Sequence, residues 1–337
     1  MSTRDQAIRS AQALVDDGRF VSELAELVAR PTESQDPARA NEMQRYLSDL
    51  LMPRLVAAGF DSEIHPNRYG NPFLVARRIE DPHLPTILGY GHGDVTRGQE
   101  SAWHADGAPF VLRQDQDRLY GRGTADNKAQ HLINIQAQEC VIAARGKLGF
   151  NAAWLIEMGE ETGSPGLEAF CQENQDLLGA QVLIASDGPR LSPDVPLVFL
   201  GARGAINFTL SVELRKGAHH SGNWGGLLTD PSVILAHALS TITNARGQIQ
   251  VPEWHPTSLT PDIRALIAKL PLPVGPAIDR DWGDAALTPQ ERVYGWNAFA
   301  VLAMESGVPA APVNAISGHA KATCQLRFVT GTDVDDI

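Results

Sequence analysis

Acidic and histidine side chains lie in four short segments of this chain, each just after a stretch predicted to be a β-strand. The segments are His92-Gly93-Asp94, Asp126-Asn127, Glu160-Glu161 and Asp187. Together they supply most of what two divalent metal ions need as ligands, with one glutamate left over. Two metal ions that share a water and polarise a carbonyl form a hydrolytic centre. The residue types therefore favour metal-dependent hydrolysis.

Each segment alone has an ordinary structural explanation. His92 could be a loop histidine beside a surface aspartate, although Asp94 is placed to fix the imidazole tautomer. Asp126 could cap a helix, the two glutamates could be a solvated surface pair, and Asp187 could belong to a turn. The order and spacing of the segments favour a site, because ligands of open α/β sheets bind at the carboxyl ends of strands.

The elements that must position these residues alternate between strands and helices over the first two hundred residues. Apolar runs predict strands at 73–76, 86–90, 152–156 and 182–185. Helices are predicted at 4–29, at 38–58, from 126 to Gly146 and from Ser164-Pro165 onward. This alternation predicts an α/β domain with a largely parallel sheet.

The pattern changes near residue 200, where Gly201 and Gly204 indicate a hinge. Residues 208–214 alternate between apolar and polar side chains, as in a strand with one exposed face. A helix at 231–243 and a strand at 322–329 follow, and the proline-rich stretch 251–290 has no assigned structure. We therefore expect a sheet domain over residues 1–200 and a smaller α+β domain over residues 201–330.

Composition and charge exclude several classes of function. The 337 residues carry a formal net charge of −12, which argues against binding to nucleic acid or to anionic membranes. The 43 % hydrophobic and 20 % charged content is typical of a soluble globular protein. The three cysteines are scattered, and the charged N-terminus lacks the apolar core of a signal peptide. We expect a cytoplasmic protein.

The four segments, in this order, resemble the M20 metallopeptidases over nearly the whole chain. GHGDV at 91–95, LYGRGTADNKA at 119–129 and GEETGSPGL at 159–167 match three motifs of that family, with Ala129 where glycine is usual. The family includes carboxypeptidase G, acetylornithine deacetylase, succinyl-diaminopimelate desuccinylase and the carnosinase-like dipeptidases. The resemblance implies a zinc-peptidase-like α/β sheet domain with helices on both faces, and an inserted α+β lid or dimerisation domain.

The resemblance also implies a role for each residue of these segments. Two divalent metal ions, zinc with Co²⁺ or Mn²⁺ as alternatives, would have four ligands here: His92, Asp126, Glu161 and Asp187. In the family pattern Asp126 bridges both ions, and the peptide bond that follows it is often cis. Glu160 would be the general base, and Asp94 would hold the imidazole of the first ligand.

The second half of the chain resembles the family's lid domain, through which members often form homodimers. GARGAINFTLSVE at 201–213 and PVNAISGHAKATCQLRFVTGTD at 312–333 resemble its first and last strands. AHHSGNWGG places His220, or else its neighbour His219, at the histidine that stabilises the oxyanion, often across the dimer. Arg327 matches an arginine that binds a substrate carboxylate, although it could also be an ordinary edge-strand arginine. Asn314 matches the asparagine of the closing motif, and we place it at the substrate too.

In the family, the chain returns to the sheet domain after the lid and supplies a late histidine to the second metal ion. Residues 331–337 would begin that return, and the chain ends at Ile337. Asp126 and Glu161 would then be the ligands of the second ion, whereas a catalytic zinc usually has three protein ligands. We expect this chain to hold the second ion weakly and to hydrolyse its substrate poorly.

The expected function is metal-dependent hydrolysis of an amide bond in a small peptide, as in a dipeptidase, or in an N-acyl amino acid. Asp187 in place of glutamate, the GSPG sequence and Arg327 favour a dipeptidase. Two alternatives stay open: a one-metal hydrolase, and a non-catalytic, dimeric binding or regulatory member of the fold with an incomplete metal site. The presence of Glu160 favours an enzyme, and the missing late histidine favours the non-catalytic interpretation.

Overall fold

A five-stranded sheet in the first half of the chain carries the residues singled out above at the ends of its strands. The structure is a computed structural model that describes residues 2–103, 107–188, 197–199, 201–272 and 278–337. It divides into two compact units, Met1–Pro189 and Arg190–Ile337. The expected domain boundary at residue 200 falls on a position outside the described residues.

The first unit contains seven named strands and seven named helices among its described residues. The strands are β1 (Asp61–His65), β2 (Phe73–Arg78), β3 (Thr86–His92), β4 (Arg113–Asp115), β5 (Arg118–Tyr120), β6 (Asn151–Glu157) and β7 (Val182–Ala185). The helices are α1 (Thr3–Asp16), α2 (Arg19–Val28), α3 (Ala40–Arg45), α4 (Met52–Ala57), α5 (Lys128–Arg145), α6 (Leu167–Glu173) and α7 (Gln175–Leu178). A π-helical segment, Tyr46–Leu51, joins α3 to α4.

The sheet is mixed, so the prediction of a largely parallel sheet is wrong. Its strand order is β1-β2-β6-β3-β7. β2 runs antiparallel to both β1 and β6, whereas β6, β3 and β7 run parallel to one another. The loop at 66–72 between β1 and β2 is too short for the crossover that parallel neighbours need. The three parallel strands nevertheless end at one edge of the sheet, which brings together residues from distant parts of the chain.

Helices cover both faces of this sheet, as the resemblance implies. All seven residues of β6 are buried. Trp154 of this strand packs in the main core with Leu132 of α5. Its neighbour Leu155 packs on the opposite face with Phe73 and with Phe170 of α6. Adjacent residues serve two cores because strand side chains alternate between the faces.

Glycine and turn geometry decide where the helices begin and end. The predicted helix at 4–29 is two helices, because Gly18 between them has φ of +79°, a conformation that glycine adopts without strain. α5 ends at Gly146 with φ of +72°, which confirms its predicted C-terminus. The helix predicted from Ser164 begins instead at Leu167, because Ser164 has φ of +51° and belongs to a turn.

A three-stranded antiparallel sheet forms the centre of the second unit. The elements are β8 (Gly204–His220), α8 (Ser221–Trp224), α9 (Pro231–Ile242), α10 (Pro261–Ile267), α11 (Pro289–Tyr294), β9 (Ala298–Ser306) and β10 (Ala315–Phe328). The strand order is β8-β10-β9, and α9 packs on one face, with Leu235 against Ala322 and Cys324 of β10. Strand β9 was not predicted from the sequence. Its run AFAVLAM is apolar throughout, and periodicity alone cannot assign such a run to a strand or a helix.

No helix among the described residues is both long enough and apolar enough to cross a lipid bilayer.

Candidate metal centre

Three predicted metal ligands meet at the edge where the parallel strands end. His92 is the last residue of β3, and Asp187 follows the neighbouring strand β7 by two residues. Asp126 lies just before α5, and its peptide bond to Asn127 is cis, as the resemblance implies. One ligand atom each from His92, Asp126 and Asp187 lie within 4.8 Å of one another. The imidazole is buried, whereas the two carboxylates are exposed.

The imidazole of His92 is oriented by contacts on both of its nitrogen atoms. Nδ1 lies 3.0 Å from the backbone oxygen of Asp94 and 3.3 Å from its carboxylate, and Nε2 lies 2.9 Å from Oδ1 of Asp126. Burial opposes the charged form of this ring, but the hydrogen bonds that it donates to the two aspartates outweigh burial and raise the pKa of His92 to about 11. A metal ion at Nε2 would take the place of the proton that Asp126 accepts there.

Asp94 links the imidazole to the two adjacent glutamates. Its carboxylate is fully buried. It accepts hydrogen bonds from the backbone N–H of Glu160 at 3.2 Å and of Glu161 at 3.1 Å. The predicted role of Asp94 was to hold His92. The structure adds that Asp94 also fixes the turn that carries both glutamates.

Glu160 and Glu161 lie in a single helical turn after β6 and are partly buried. Burial raises the pKa of Glu160, and the nearby aspartates raise it further against the opposing effect of His92. Burial and the charge of Asp126 raise the pKa of Glu161 to about 7. Glu161 stands outside the three-ligand group found among the described residues. The structure therefore brings together three of the four predicted ligands, with the fourth beside them.

The donor set and its orientation fit a divalent metal ion. One imidazole and two carboxylates are the kind of three-ligand set that holds a catalytic zinc with an open position. The Nδ1 atom of His92 faces carbonyl and carboxylate acceptors, so its proton belongs there, and Nε2 is left free to bind a metal. In the predicted second position, Asp126 and Glu161 offer two carboxylates.

The predicted site residues did not include the buried polar residues behind this edge, although Lys128 lies within the matched motif at 119–129. Lys128 is fully buried and donates from Nζ to the backbone oxygens of Leu27 at 2.9 Å and Arg30 at 2.7 Å. Burial lowers the pKa of Lys128 to about 7. Tyr46 and His131 are also fully buried, and the Tyr46 hydroxyl lies 2.8 Å from Nε2 of His131. For His131 the sequence signal was a polar residue within the largely apolar stripe of α5.

The predicted residues of the second unit lie at two ends of its sheet. His220 ends β8 and pairs with Ala315, while Ser221 donates its N–H to the backbone oxygen of Asn314 at 2.9 Å. Arg327 lies near the other end of β10. The twelve residue steps from 315 to 327 span about 40 Å at the usual rise of a strand. The structure thus brings His220 and Asn314 together and keeps Arg327 away from both.

The two neighbouring histidines at the end of β8 have different surroundings. His219 packs edge-on against Trp224, with ring centroids 5.8 Å apart. His220 accepts the N–H of Gly222 on Nδ1 at 3.1 Å, which leaves its Nε2 available as a donor. This arrangement favours His220 over His219 as the residue that reaches a ligand.

A comparison with protein families identifies the group to which these motifs belong. The profile of peptidase family M20/M25/M40 matches residues 88–323. The chain belongs to this family. The matched M20 region contains His92, Asp126 and Asp187 as well as both glutamates, and it extends through most of β10.

Among curated M20 relatives, the Beta-Ala-His dipeptidase of Mus musculus is 32 % identical over 249 residues, which are 69 % of this chain and 50 % of that protein. The enzyme of the same name from Rattus norvegicus is 35 % identical over 184 residues, or 54 % of this chain and 37 % of that protein. The chain spans about half the length, or less, of these relatives.

Among solved structures, human carnosine dipeptidase 1 matches with a TM-score of 0.82 at 23 % identity, covering 100 % of this chain and 74 % of that chain. At this identity the likeness shows the fold alone. It confirms the predicted α/β fold class of the M20 peptidases.

Proposed function

We propose that this chain provides the metal-dependent active site of a dipeptidase. The observation that carries the proposal is the meeting of His92, Asp126 and Asp187 beside Glu160, with Asp94 bonded to both parts. Relatives in the M20 family include a Beta-Ala-His dipeptidase and a Cys-Gly metallodipeptidase, which supports a small peptide as the substrate. We further propose two zinc ions: His92, Asp126 and Asp187 would hold the first, and Asp126 and Glu161 would help to hold the second.

The protein residues have distinct tasks in the proposed hydrolysis. Bound metal would polarise the scissile carbonyl and lower the pKa of the attacking water. Glu160 accepts a proton from this water while the water oxygen forms a bond to the carbonyl carbon. Glu160 then gives the proton to the leaving nitrogen as the C–N bond breaks. Burial raises the pKa of Glu160 above the ordinary glutamate value, which makes the side chain a better proton acceptor. His220 would donate a hydrogen bond to the oxyanion.

The substrate class depends on what the second unit recognises. Arg327 would bind the carboxylate of the substrate, which a dipeptide and an N-acyl amino acid both possess, so it does not separate a peptidase from a deacylase. The dipeptidase names of the relatives favour the peptide. We propose that the protein is cytoplasmic, because its three cysteines are scattered along the chain, as is usual in a reducing compartment.

The length of β10 supports a homodimer in which two chains complete one site. A dipeptide spans about 7 Å when extended, whereas His220 and Arg327 lie about 40 Å apart along the sheet. If both residues contact one substrate, they must belong to different chains. β9 offers a surface for association, since it pairs only with β10 among the described strands and exposes Val301, Leu302 and Met304.

The proposal is tested by loading the metal-free protein with zinc and offering it β-Ala-His, Cys-Gly and an N-acetyl amino acid. We expect zinc-dependent release of free amino acid from at least one dipeptide, and its loss when a chelator removes the metal. Tight zinc binding without hydrolysis of any of the three would instead support the non-catalytic binding role. Hydrolysis of only the N-acetyl amino acid would make the protein a deacylase.

A further inference from the structure

Polar side chains on one face of α5 and at its N-cap lie against the strand ends that carry the proposed metal ligands. Asn127, His131 and Asn134 are spaced at i, i+4 and i+7, which places them in one stripe of the helix. Asn127 and His131 are fully buried. Buried polar groups are costly unless they are hydrogen-bonded, so the partners of these side chains show what the stripe holds in place.

Asn127 bonds to both of the strand ends that carry a ligand. Its Nδ2 donates to the backbone oxygen of Ser186 at 2.8 Å and to Oδ1 of Asp187 at 3.2 Å. Its Oδ1 accepts the backbone N–H of His92 at 3.4 Å. The amide therefore joins the end of β3 to the end of β7 and contacts one proposed ligand carboxylate directly.

The chemistry of these partners allows a single orientation of the amide. Asp187 and the Ser186 carbonyl are acceptors and require the NH₂ group, whereas the N–H of His92 requires the oxygen. Nδ1 of His131 lies 3.4 Å from that same oxygen, so Nδ1 must carry the proton of a neutral ring. Its Nε2 is then an acceptor, and the hydroxyl of Tyr46, 2.8 Å away, donates to it. The tautomer and the amide orientation thus fix each other.

Strand β3 leaves room for the side chains of Asn127 and His131, because it has a glycine at position 91. A Cβ atom at Gly91 would lie 2.8 Å from Cβ of His131 and 3.0 Å from Oδ1 of Asn127. Either contact would force the side chains of α5 away from the strand. The glycine immediately before His92 is therefore part of the same arrangement.

We infer that Asn127 is a positioning residue for the metal ligands His92 and Asp187, and that His131 and Tyr46 hold it in the required orientation. This role rests on the metal centre proposed above. None of the three side chains need touch the metal ion or the substrate. Partners of this kind orient metal ligands, and their loss typically lowers metal affinity about 10- to 100-fold.

The test measures metal binding by the full chain rather than turnover. Metal-free parent, Asn127→Ala and Tyr46→Phe are titrated with Zn²⁺ against a chelator, and with Co²⁺ while its visible absorption spectrum is recorded. Asn127→Ala should weaken zinc binding about 10- to 100-fold and change the Co²⁺ spectrum. Tyr46→Phe, which keeps the buried ring, should cause a smaller change in the same direction. Asn134→Ala is the matched control and should behave as the parent, because the side-chain hydrogen bond that the described part of the chain gives Asn134 goes to the Ser186 hydroxyl, at 2.7 Å, and not to a proposed ligand.

Parent-like affinity and an unchanged spectrum in folded Asn127→Ala would overturn the inference. If that variant does not fold by circular dichroism, Tyr46→Phe decides, and an unaltered Co²⁺ spectrum there overturns it as well. Equal weakening in Asn134→Ala would also contradict it, because a general loosening of α5 would then be the cause. A parent that binds neither metal would show that the proposed metal centre itself is wrong.

Discussion

The two units hold their candidate functional residues in opposite ways. In the first, His92 and Asp94 are fully buried and are bonded to segments far away in the sequence. In the second, His220 and Arg327 are exposed, and the side-chain hydrogen bonds that the described structure gives them reach only two positions along the chain. The fold therefore fixes these two residues of the first unit through long-range contacts, and it gives these two residues of the second unit only local hydrogen bonds.

This difference indicates how the proposed site becomes complete. Buried hydrogen bonds restrict the rotamer of His92 before any metal ion arrives, so this side chain has little conformational entropy left to lose on binding. Exposed side chains such as His220 keep that freedom until a substrate or a second chain contacts them. We therefore expect changes at the metal edge to affect binding and chemistry strongly, and changes in the second unit to have smaller effects that depend on association.

The largest effect is expected from Glu160→Gln, which keeps the shape of the side chain but removes the proposed base. Turnover of the best dipeptide should fall about 10²- to 10⁴-fold, because general acid–base catalysis typically contributes that factor. Zinc content should stay at the parent level, since Glu160 is not a proposed ligand. Glu168→Gln, at an exposed acid on α6, is the control and should remain active. Near-parent turnover in Glu160→Gln would place the base elsewhere.

The next effect concerns the residue proposed to serve both metal ions. Asp126→Ala should weaken metal binding more than Asp187→Ala, because only Asp126 contributes to both positions. Metal content measured by atomic emission after dialysis of both variants gives the comparison. Equal metal content in the two folded variants would contradict the bridging role of Asp126.

A smaller effect tests whether the exposed end of β8 acts across a dimer. His220→Ala should lower turnover about 10²- to 10³-fold if it removes one donor to the oxyanion. Mixing this inactive variant with inactive Glu160→Gln should restore part of the activity, because one site in a mixed dimer would have both residues intact. Subunit exchange must be shown independently, with chains of two different tags. Exchange without recovery would place His220 within its own site or outside the reaction.

The smallest effect on chemistry is expected at the exposed edge of the second sheet. Leu302→Lys puts a charge on β9, where Leu302 is 54 % exposed, and charged edge residues oppose strand pairing. Light scattering after gel filtration should show a shift from dimer to monomer. Val111→Lys, at a 64 % exposed apolar residue of the first unit, should leave the assembly unchanged. A dimer that survives Leu302→Lys would place the interface on another surface.

The sequence predicted local elements well and long-range pairing poorly. Strand β7 and the end of α5 at Gly146 have the predicted positions, because apolar runs and helix-ending glycines are local signals. The antiparallel half of the first sheet was not foreseen, since β1 reads DSEIH and has no apolar pattern. β9 was missed for the opposite reason, because an unbroken apolar run carries no period.

For the candidate site, too, the sequence predicted some features and missed those that depend on long-range packing. Motif spacing was sufficient to choose His92, Asp126 and Asp187, which the structure brings together, while their roles stay predictions. The residues behind them could not be found in this way, since Tyr46 and His131 are 85 positions apart and their contact depends on how α5 packs. The cis bond after Asp126 was also foreseen, but that expectation came from the family resemblance and not from the residues themselves.

The central claim is that the ends of β3 and β7, with the residue before α5, hold a metal ion beside Glu160. A crystal of the zinc-loaded protein, with anomalous difference density measured at the zinc edge, tests it most directly. We predict a peak bonded to Nε2 of His92 and to carboxylate oxygens of Asp126 and Asp187. A peak at other residues, or one bonded to Nδ1 of His92, would contradict it.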